Sequence, residues 1–219
     1  MIKKYHFEEF VRQSRRVGDA GLTICSSGNM SWRLGDEVLV SGTGSWLPSI
    51  AEHQVSQLCL QTGEVLNGVK PSMESVFHRG VMLEREDVNV VLHFQSPFAT
   101  MLACCKDRPA SIAVTAEVPL HVGRVIPEIP FTTPGSPELA EAVVNALRNR
   151  NAVQLLKHGQ VVCGRNFDDV FQRAMLFEMA CRTVWQALAA GLQPNLLTEE
   201  EIDALEMHFV GHLTKDGLF

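Results

Sequence analysis

The stretch that most constrains this 219-residue chain is residues 69–95, VKPSMESVFHRGVMLEREDVNVVLHFQ. It reads as a loop, then a helix, then a short apolar run of the length expected for a fully buried strand. Glu74 falls near the helix start, and the strand ends in His93, Phe94 and Gln95. Successive strand side chains alternate between faces, so His93 and Gln95 share one face and Phe94 takes the other. An imidazole and an amide oxygen on one face, beside a helix carboxylate, make a candidate metal site. A second apolar run ends at His158, in LLKHGQVV. The expectation is that the two strand ends meet and that the chemistry lies between them.

The flanking sequence supplies a frame for that meeting. Residues 5–20 place Phe7, Phe10, Val11, Ser14 and Val17 on one helical face, closed by Gly18 and Gly21. Short strands over 30–33 and 37–40 flank the turn Leu34-Gly35-Asp36, and a second hairpin over 57–60 and 64–66 turns at Gln61-Thr62-Gly63. Helices are expected over 72–86, over 96–104 with Pro97 in the first turn, over 136–148, over 168–190 and over 198–208. The last opens on Thr198 and Glu201 at capping-box spacing. Residues 111–133 look β-like, but Pro119, Pro127 and Pro130 restrict them to edge strands or loops. Strands over 152–156 and 160–162 bracket the His158-Gly159 turn. With no repeat, low-complexity tract or linker, residues 1–219 read as a single α/β domain, a mixed sheet with helices on its faces.

Charge and composition narrow the partners. The formal net charge is −6, and Arg12, Arg15 and Arg16 are spread along a helix rather than clustered. A nucleic-acid partner is therefore not expected. No apolar run approaches the roughly 18 residues of a membrane helix, and the N-terminal segment lacks a signal-type apolar region. A cytoplasmic protein with no membrane partner is expected. Six cysteines, Cys25, Cys59, Cys104, Cys105, Cys163 and Cys181, contain no C-x-x-C pair. They read as reduced core thiols, mostly in apolar surroundings, with Cys104 and Cys105 as helix packing.

Each candidate residue has a plain reading beside the chemical one. His93 and His158 are hydrogen-bonded core histidines or ligands of zinc, which accepts imidazole nitrogen readily. Gln95 offers only a neutral amide oxygen. Glu74 is a first-turn glutamate favoured by the helix dipole, or a general base for a proton next to a carbonyl; spacing does not separate the two. The loops Ser26-Ser27-Gly28-Asn29 and Ser41-Gly42-Thr43-Gly44-Ser45, with Ser72, are turns or a nest of N–H and hydroxyl groups for a phosphate. Neither loop is a P-loop or a G-x-G-x-x-G turn.

Five motifs together carry a resemblance. They are S-x-G-N-x-S at 26–31, S-G-T-G at 41–44, K-P-S-x-E at 70–74, V-V-L-H-x-Q at 90–95 and L-L-K-H-G at 155–159. In order and spacing the chain resembles the class II aldolase/adducin family over nearly its whole length, most of all the branch that splits L-fuculose 1-phosphate. The resemblance implies a three-layer αβα sandwich with a mixed, largely antiparallel central sheet. It implies a lyase dependent on zinc or another divalent cation, cleaving a phosphorylated ketose to dihydroxyacetone phosphate and an aldehyde such as L-lactaldehyde. A homotetramer with active sites at subunit contacts is implied as well. Carried over by position, His93 and His158 are metal ligands, Gln95 stands at a further ligand position, and Glu74 is the acid/base that also approaches the metal. Gly28, Asn29, Thr43, Gly44 and Ser72 form the phosphate and substrate loops.

The chain departs from the family pattern in three places. The usual H-x-H strand has Gln95 at its second position, and the usual P-S-S-E has Met73. The only tyrosine is Tyr5, so the family's tyrosines near the leaving aldehyde have no counterpart; His121 and His212 are candidate stand-ins. The same site suits a sugar-phosphate epimerase, which the resemblance associates with aspartate in place of Glu74, or a methylthioribulose-phosphate-type dehydratase. A non-catalytic adducin-like binding protein is the third alternative, toward which Gln95 and Met73 point.

Overall fold

Strand parity sorts the apolar residues of this chain onto two sides of one sheet. The computed structural model describes residues 2–216, with side chains through residue 209. Its strands are β1 (Asn29–Leu34), β2 (Glu37–Ser41), β3 (Val55–Cys59), β4 (Val90–Phe94), β5 (Glu128–Ile129), β6 (Ala152–Leu155) and β7 (Gly159–Gly164). They lie in the order β3-β2-β1-β4-β7-β6-β5. Every pairing is antiparallel except β5 with β6. The helices are α1 (Lys4–Asp19), α2 (Ser75–Glu84), α3 (Pro97–Ala103), α4 (Pro137–Leu147), α5 (Phe167–Ala189) and α6 (Glu199–Asp216).

Met30, Leu92, Phe94 and Val162 pack on one face against α1, α3 and α5. Val91, Val161 and Cys163 pack on the other against α2 and α4. The result is the three-layer αβα sandwich with a mixed, largely antiparallel sheet that the resemblance implies. β4 is buried at every position. Its parity sends Phe94 toward α5, edge-on to Phe177, and His93 toward α2. Burying a side chain of the Phe94 class is worth about 2–3 kcal/mol, so register here is tightly specified: a one-residue slip would exchange Phe94 for His93 in the apolar layer.

Helix starts follow local chemistry. Ser136 accepts from the Leu139 N–H, and Asn166 from the Asp169 N–H, each side chain satisfying an orphan donor. The capping box on α6 forms: Glu201 Oε2 accepts from Thr198 N at 2.8 Å, and Thr198 Oγ1 accepts from Glu201 N at 3.2 Å.

The structure differs from the sequence expectations in four places. Residues 64–66 form no strand, only a bridge from Val65 to Leu58. Asn67 takes over there, its Oδ1 accepting from Gln57 N and its Nδ2 donating to Val55 O. Residues 111–133 form loops and the short edge strand β5, as expected, but also a π-helical turn, Val118–Val122, that was not. Pro119 begins that turn, where no N–H is needed, and Pro127 and Pro130 bracket β5. α2 starts at Ser75 rather than at 72, because residues 70–72 are tied to β2 by Thr43 N to Lys70 O and Ser72 N to Ser41 O. Of the six cysteines only Cys163 and Cys181 are buried, while Cys25 and Cys104 are exposed; all six are free thiols. Cys104 follows the last turn of α3, past its buried face. Among the described residues no helix is long and apolar enough to cross a membrane.

Candidate active site

Antiparallel pairing brings the beginning of β1, the end of β2, the end of β4 and the beginning of β7 to one edge of the sheet. Asn29 pairs with His93, Phe94 with Gln160, and Gly42 bridges Pro71. The loops at 26–29, 41–45 and 70–74 therefore converge on the strand end that carries His93.

His93 is buried, and its Nδ1 lies 2.9 Å from the Gln160 carbonyl. A carbonyl only accepts, so Nδ1 carries the proton and donates, and the Nε2 lone pair points into the site. This is how a ligating histidine is usually oriented. His158 sits in the β6–β7 turn, with its ring centroid 4.8 Å from that of His93. Lys157 takes a positive φ of 59° to make the turn. Lys157 N donates to Ala103 O, and Gln154 Nε2 donates to Gly159 O at 3.0 Å. Glycine is required at 159: a Cβ would stand 2.6 Å from Phe94 O and 3.0 Å from His93 Cε1. The L-L-K-H-G motif is thus a packing solution that lays one imidazole beside the other.

Glu74 occupies the N-cap position of α2, makes no capping hydrogen bond through its side chain, and is buried. Its Oε2 lies 3.5 Å from His93 Nε2, and its Oε1 lies 3.6 Å from His158 Nε2. Both separations exceed a charge-assisted hydrogen bond of about 2.8 Å. They are close to the roughly 3.4 Å edge that ligand–metal bonds of about 2.1 Å give in a tetrahedron. The three ligand atoms all lie within 4.8 Å of one another. Glu74 Oε1 and His158 Nδ1 are buried without a hydrogen-bond partner, an arrangement that costs stability unless something fills it. Burial, and next the neighbouring His93, push the His158 pKa down to about 4, with Glu74 pulling the other way. Two imidazoles and an under-satisfied carboxylate are donors that fit a divalent cation.

The remaining candidates stand around this centre. The Gln95 side-chain nitrogen donates to the His158 carbonyl, which leaves Oε1 as its available oxygen. The chain just beyond is anchored by Glu178 of α5, whose carboxylate accepts from Ser96 Oγ at 2.6 Å, Phe98 N at 3.0 Å and Ala99 N at 2.9 Å. Gly28 has φ 116°, and a Cβ there would meet His93 O at 2.9 Å. Thr43 and Gly44 are exposed, Gly44 with φ 72° and open space before it. Ser72 is buried, its hydroxyl accepting from Glu74 N at 3.3 Å. His121 lies in the π-helical turn against α5, on the face of the sheet away from Glu74. The side chain of His212 lies outside the described residues.

Asn29 is more deeply committed than its place in a loop motif suggests. It is buried, and its Nδ2 donates to Glu74 Oε2 at 2.8 Å. Its Oδ1 lies 2.5 Å from Nε2 of His78, whose Nδ1 lies 2.7 Å from Ser31 Oγ. Burial, and then His93, push the His78 pKa down to about 3, so this imidazole is neutral at ordinary pH. Sequence reasoning missed His78 and Ser31. Their signal was spacing alone: His78 is one helical turn beyond Glu74, and Ser31 shares a strand face with Asn29.

The profile of the Class II Aldolase and Adducin N-terminal domain matches residues 8–185. The 3-oxo-tetronate 4-phosphate decarboxylase of Haemophilus influenzae is 32% identical over 202 residues, covering 91% of this chain and 95% of that protein. The 5-methylthioribulose-1-phosphate/5-deoxyribulose-1-phosphate aldolase of Rhodospirillum rubrum is 30% identical over 194 residues, covering 87% and 84%. Among solved structures, an L-fuculose 1-phosphate aldolase superposes with a TM-score of 0.85 at 23% identity, over 96% of this chain and 98% of its own. That likeness carries the fold.

Proposed function

Because the chain belongs to the class II aldolase and adducin family, we propose that it is a metal-dependent lyase that breaks the carbon–carbon bond between the α and β carbons of the carbonyl in a phosphorylated ketose. The observation that carries this reading is the cluster of Glu74, His93 and His158 with its unpartnered carboxylate oxygen. A divalent cation held there, zinc in our reading, supplies polarisation of the substrate carbonyl and compensation for the charge that develops on it. Gln95, with its nitrogen tied to the His158 carbonyl, offers Oε1 as a further ligand.

Glu74 is the acid/base. Its Oε1 handles the proton on the carbon that loses its neighbour, while Asn29 holds Oε2. Gly28, Thr43, Gly44 and Ser72 bind the phosphate through backbone N–H and hydroxyl groups, and so provide binding energy remote from the reacting bond. Asn29 joins them at the substrate end. Met73 and Val76 flank Glu74, and Trp46 closes the Thr43–Gly44 loop, all with exposed apolar side chains. We read that rim as a subunit contact of a homotetramer, which sedimentation analysis tests directly.

Two leaving groups compete. An L-fuculose 1-phosphate-like ketose would release an aldehyde such as L-lactaldehyde. A 3-oxo-tetronate 4-phosphate would release carbon dioxide. Both leave the same fragment, dihydroxyacetone phosphate, once the carbanion is protonated, so one site serves either. The decarboxylase of H. influenzae at 32% identity supports the second, as does Tyr5, the one tyrosine, standing in α1. The test is a panel of L-fuculose 1-phosphate, 5-deoxyribulose 1-phosphate and 3-oxo-tetronate 4-phosphate with zinc-loaded protein. Dihydroxyacetone phosphate, aldehyde and carbon dioxide are each quantified. Epimerised or dehydrated product would point to the other chemistries, and zinc-loaded protein inert on the whole panel would overturn the lyase reading.

A further inference from the structure

β1 and α2 present a two-by-two arrangement of polar side chains. Asn29 and Ser31 share one strand face, separated by two residues and about 6.7 Å of strand. Glu74 and His78 share one helix face, separated by four residues and about 6 Å of axis. The two spacings match, so each strand residue finds a helix partner. The four groups join into one file: Ser31 Oγ to His78 Nδ1 at 2.7 Å, His78 Nε2 to Asn29 Oδ1 at 2.5 Å, Asn29 Nδ2 to Glu74 Oε2 at 2.8 Å. Ser31 and His78 are fully buried.

The direction of every bond in this file is fixed. Asn29 Oδ1 only accepts, so His78 Nε2 must carry the proton, and its Nδ1 then accepts from the Ser31 hydroxyl. All donors therefore point toward Glu74. The two ends of an asparagine amide are nearly equal in shape and opposite in polarity. Turned the other way, Asn29 would set an oxygen against Glu74 Oε2 with no proton between them. The acceptor-only carboxylate of Glu74 excludes that alternative, and the His78 N–H then holds the amide by its oxygen from the other side. The file ends on Oε2 and leaves Oε1 as the oxygen without a partner, facing His158.

The geometry points to His78 as a positioning residue, acting through Asn29 to fix which Glu74 oxygen is held and which is left to work. This deepens the assignment of Glu74 as the acid/base and rests on it. His78 touches neither substrate nor metal; its contribution is orientation of the carboxylate, and a misplacement of about 1 Å can cost about a hundredfold in rate.

The test combines nitrogen NMR of the 15N-labelled, metal-free protein with kinetics of the zinc-loaded protein. The wild-type His78 ring should show the Nε2–H tautomer, and His78→Leu should move the Asn29 side-chain NH2 resonances. On the best substrate, His78→Leu should lower kcat about a hundredfold while KM changes less than about threefold. His78→Gln puts an amide donor where Nε2 stood and should recover kcat to within about tenfold of wild type. The double variant Asn29→Ala/His78→Leu should be no slower than Asn29→Ala alone, because the two act as one unit. An Nδ1–H tautomer, unmoved Asn29 resonances, or losses that multiply in the double variant would each overturn the assignment. Where His78→Leu does not fold, the wild-type tautomer and His78→Gln decide: a His78→Gln as slow as Asn29→Ala overturns it. A wild-type protein inert on every substrate overturns the lyase reading instead, and the NMR arm still decides this one.

Discussion

The two sides of Glu74 treat buried polar groups in opposite ways. Toward β1, Oε2 accepts a hydrogen bond from Asn29 Nδ2, and Asn29, His78 and Ser31 are each matched donor to acceptor. Toward β4 and β7, Oε1 and His158 Nδ1 have no partner, and the imidazole nitrogens stand 3.5 and 3.6 Å from the carboxylate. Buried polar groups are normally satisfied, because an unmade hydrogen bond costs its full desolvation. On our proposal the satisfied side holds and the unsatisfied side binds. One carboxylate belongs to both.

The largest expected effect comes from removing charge on the binding side while keeping the holding side. Glu74→Gln retains an oxygen for Asn29, so turnover should fall about 10³-fold or more with zinc content unchanged by metal analysis. Activity near that of wild type would remove Glu74 from the chemistry. Filling the unsatisfied side should stabilise the fold: zinc at about a hundred times its dissociation constant should contribute about 2.7 kcal/mol, read as a rise in Tm. That rise should vanish in His93→Ala/His158→Ala; a rise of equal size there would place the metal elsewhere.

Crowding sharpens the contrast between the loops. Gly28→Ala places a Cβ 2.6 Å from Thr23 Cγ2 and 2.9 Å from His93 O at a φ of 116°, and should cost about 2–3 kcal/mol in urea unfolding. Gly44→Ala has the same kind of backbone but open space, and should cost about 1 kcal/mol. Equal losses would show that contact with the β4 end is irrelevant. The holding side has its own signature in acid. His78 titrates near 6.5 when unfolded and about 3 when folded, so between those values the unfolded chain binds the extra proton. Stability from this residue is intact above about pH 6.5 and falls by about 1.4 kcal/mol per unit as pH drops toward 3. His78→Gln should flatten that slope, and an unchanged acid limb would contradict it. Smallest of all, Asn166→Ala at the start of α5 should cost about 1 kcal/mol of stability and leave kcat and KM untouched, separating general loosening from damage at Glu74.

Much of the frame was legible. The apolar run at 90–94 announced a buried strand, and period-two alternation put His93 on the face opposite Phe94. Thr198 caps the helix that its spacing to Glu201 announced. Residues 64–66 were misjudged because β-propensity measures fit to a pleated, half-buried surface, and here Asn67 decided the backbone first; over 111–133 the prolines did confine the chain to an edge strand and loops, and only the π-helical turn was not foreseen. Cys104 is exposed for a similar reason. Apolar neighbours in sequence do not bury a residue that falls past the last packed turn. In the site, the motifs supplied Glu74, His93 and His158 by position. Asn29 was read as a loop residue because nothing local reveals that its amide spans from His78 to Glu74.

By itself the sequence determined residue kinds and local periods: a carboxylate at a helix start, imidazoles at strand ends, glycines where the backbone must turn or pass closely. Those rules act over a few residues, and a single chain carries them whatever it packs against. Only the tertiary structure decided that β7 lies beside β4, which sets the His93–His158 distance through the ladder register. It also decided which way the Asn29 amide points. Both are settled by partners remote in the chain, and burial makes a mismatch between them too costly to leave in place.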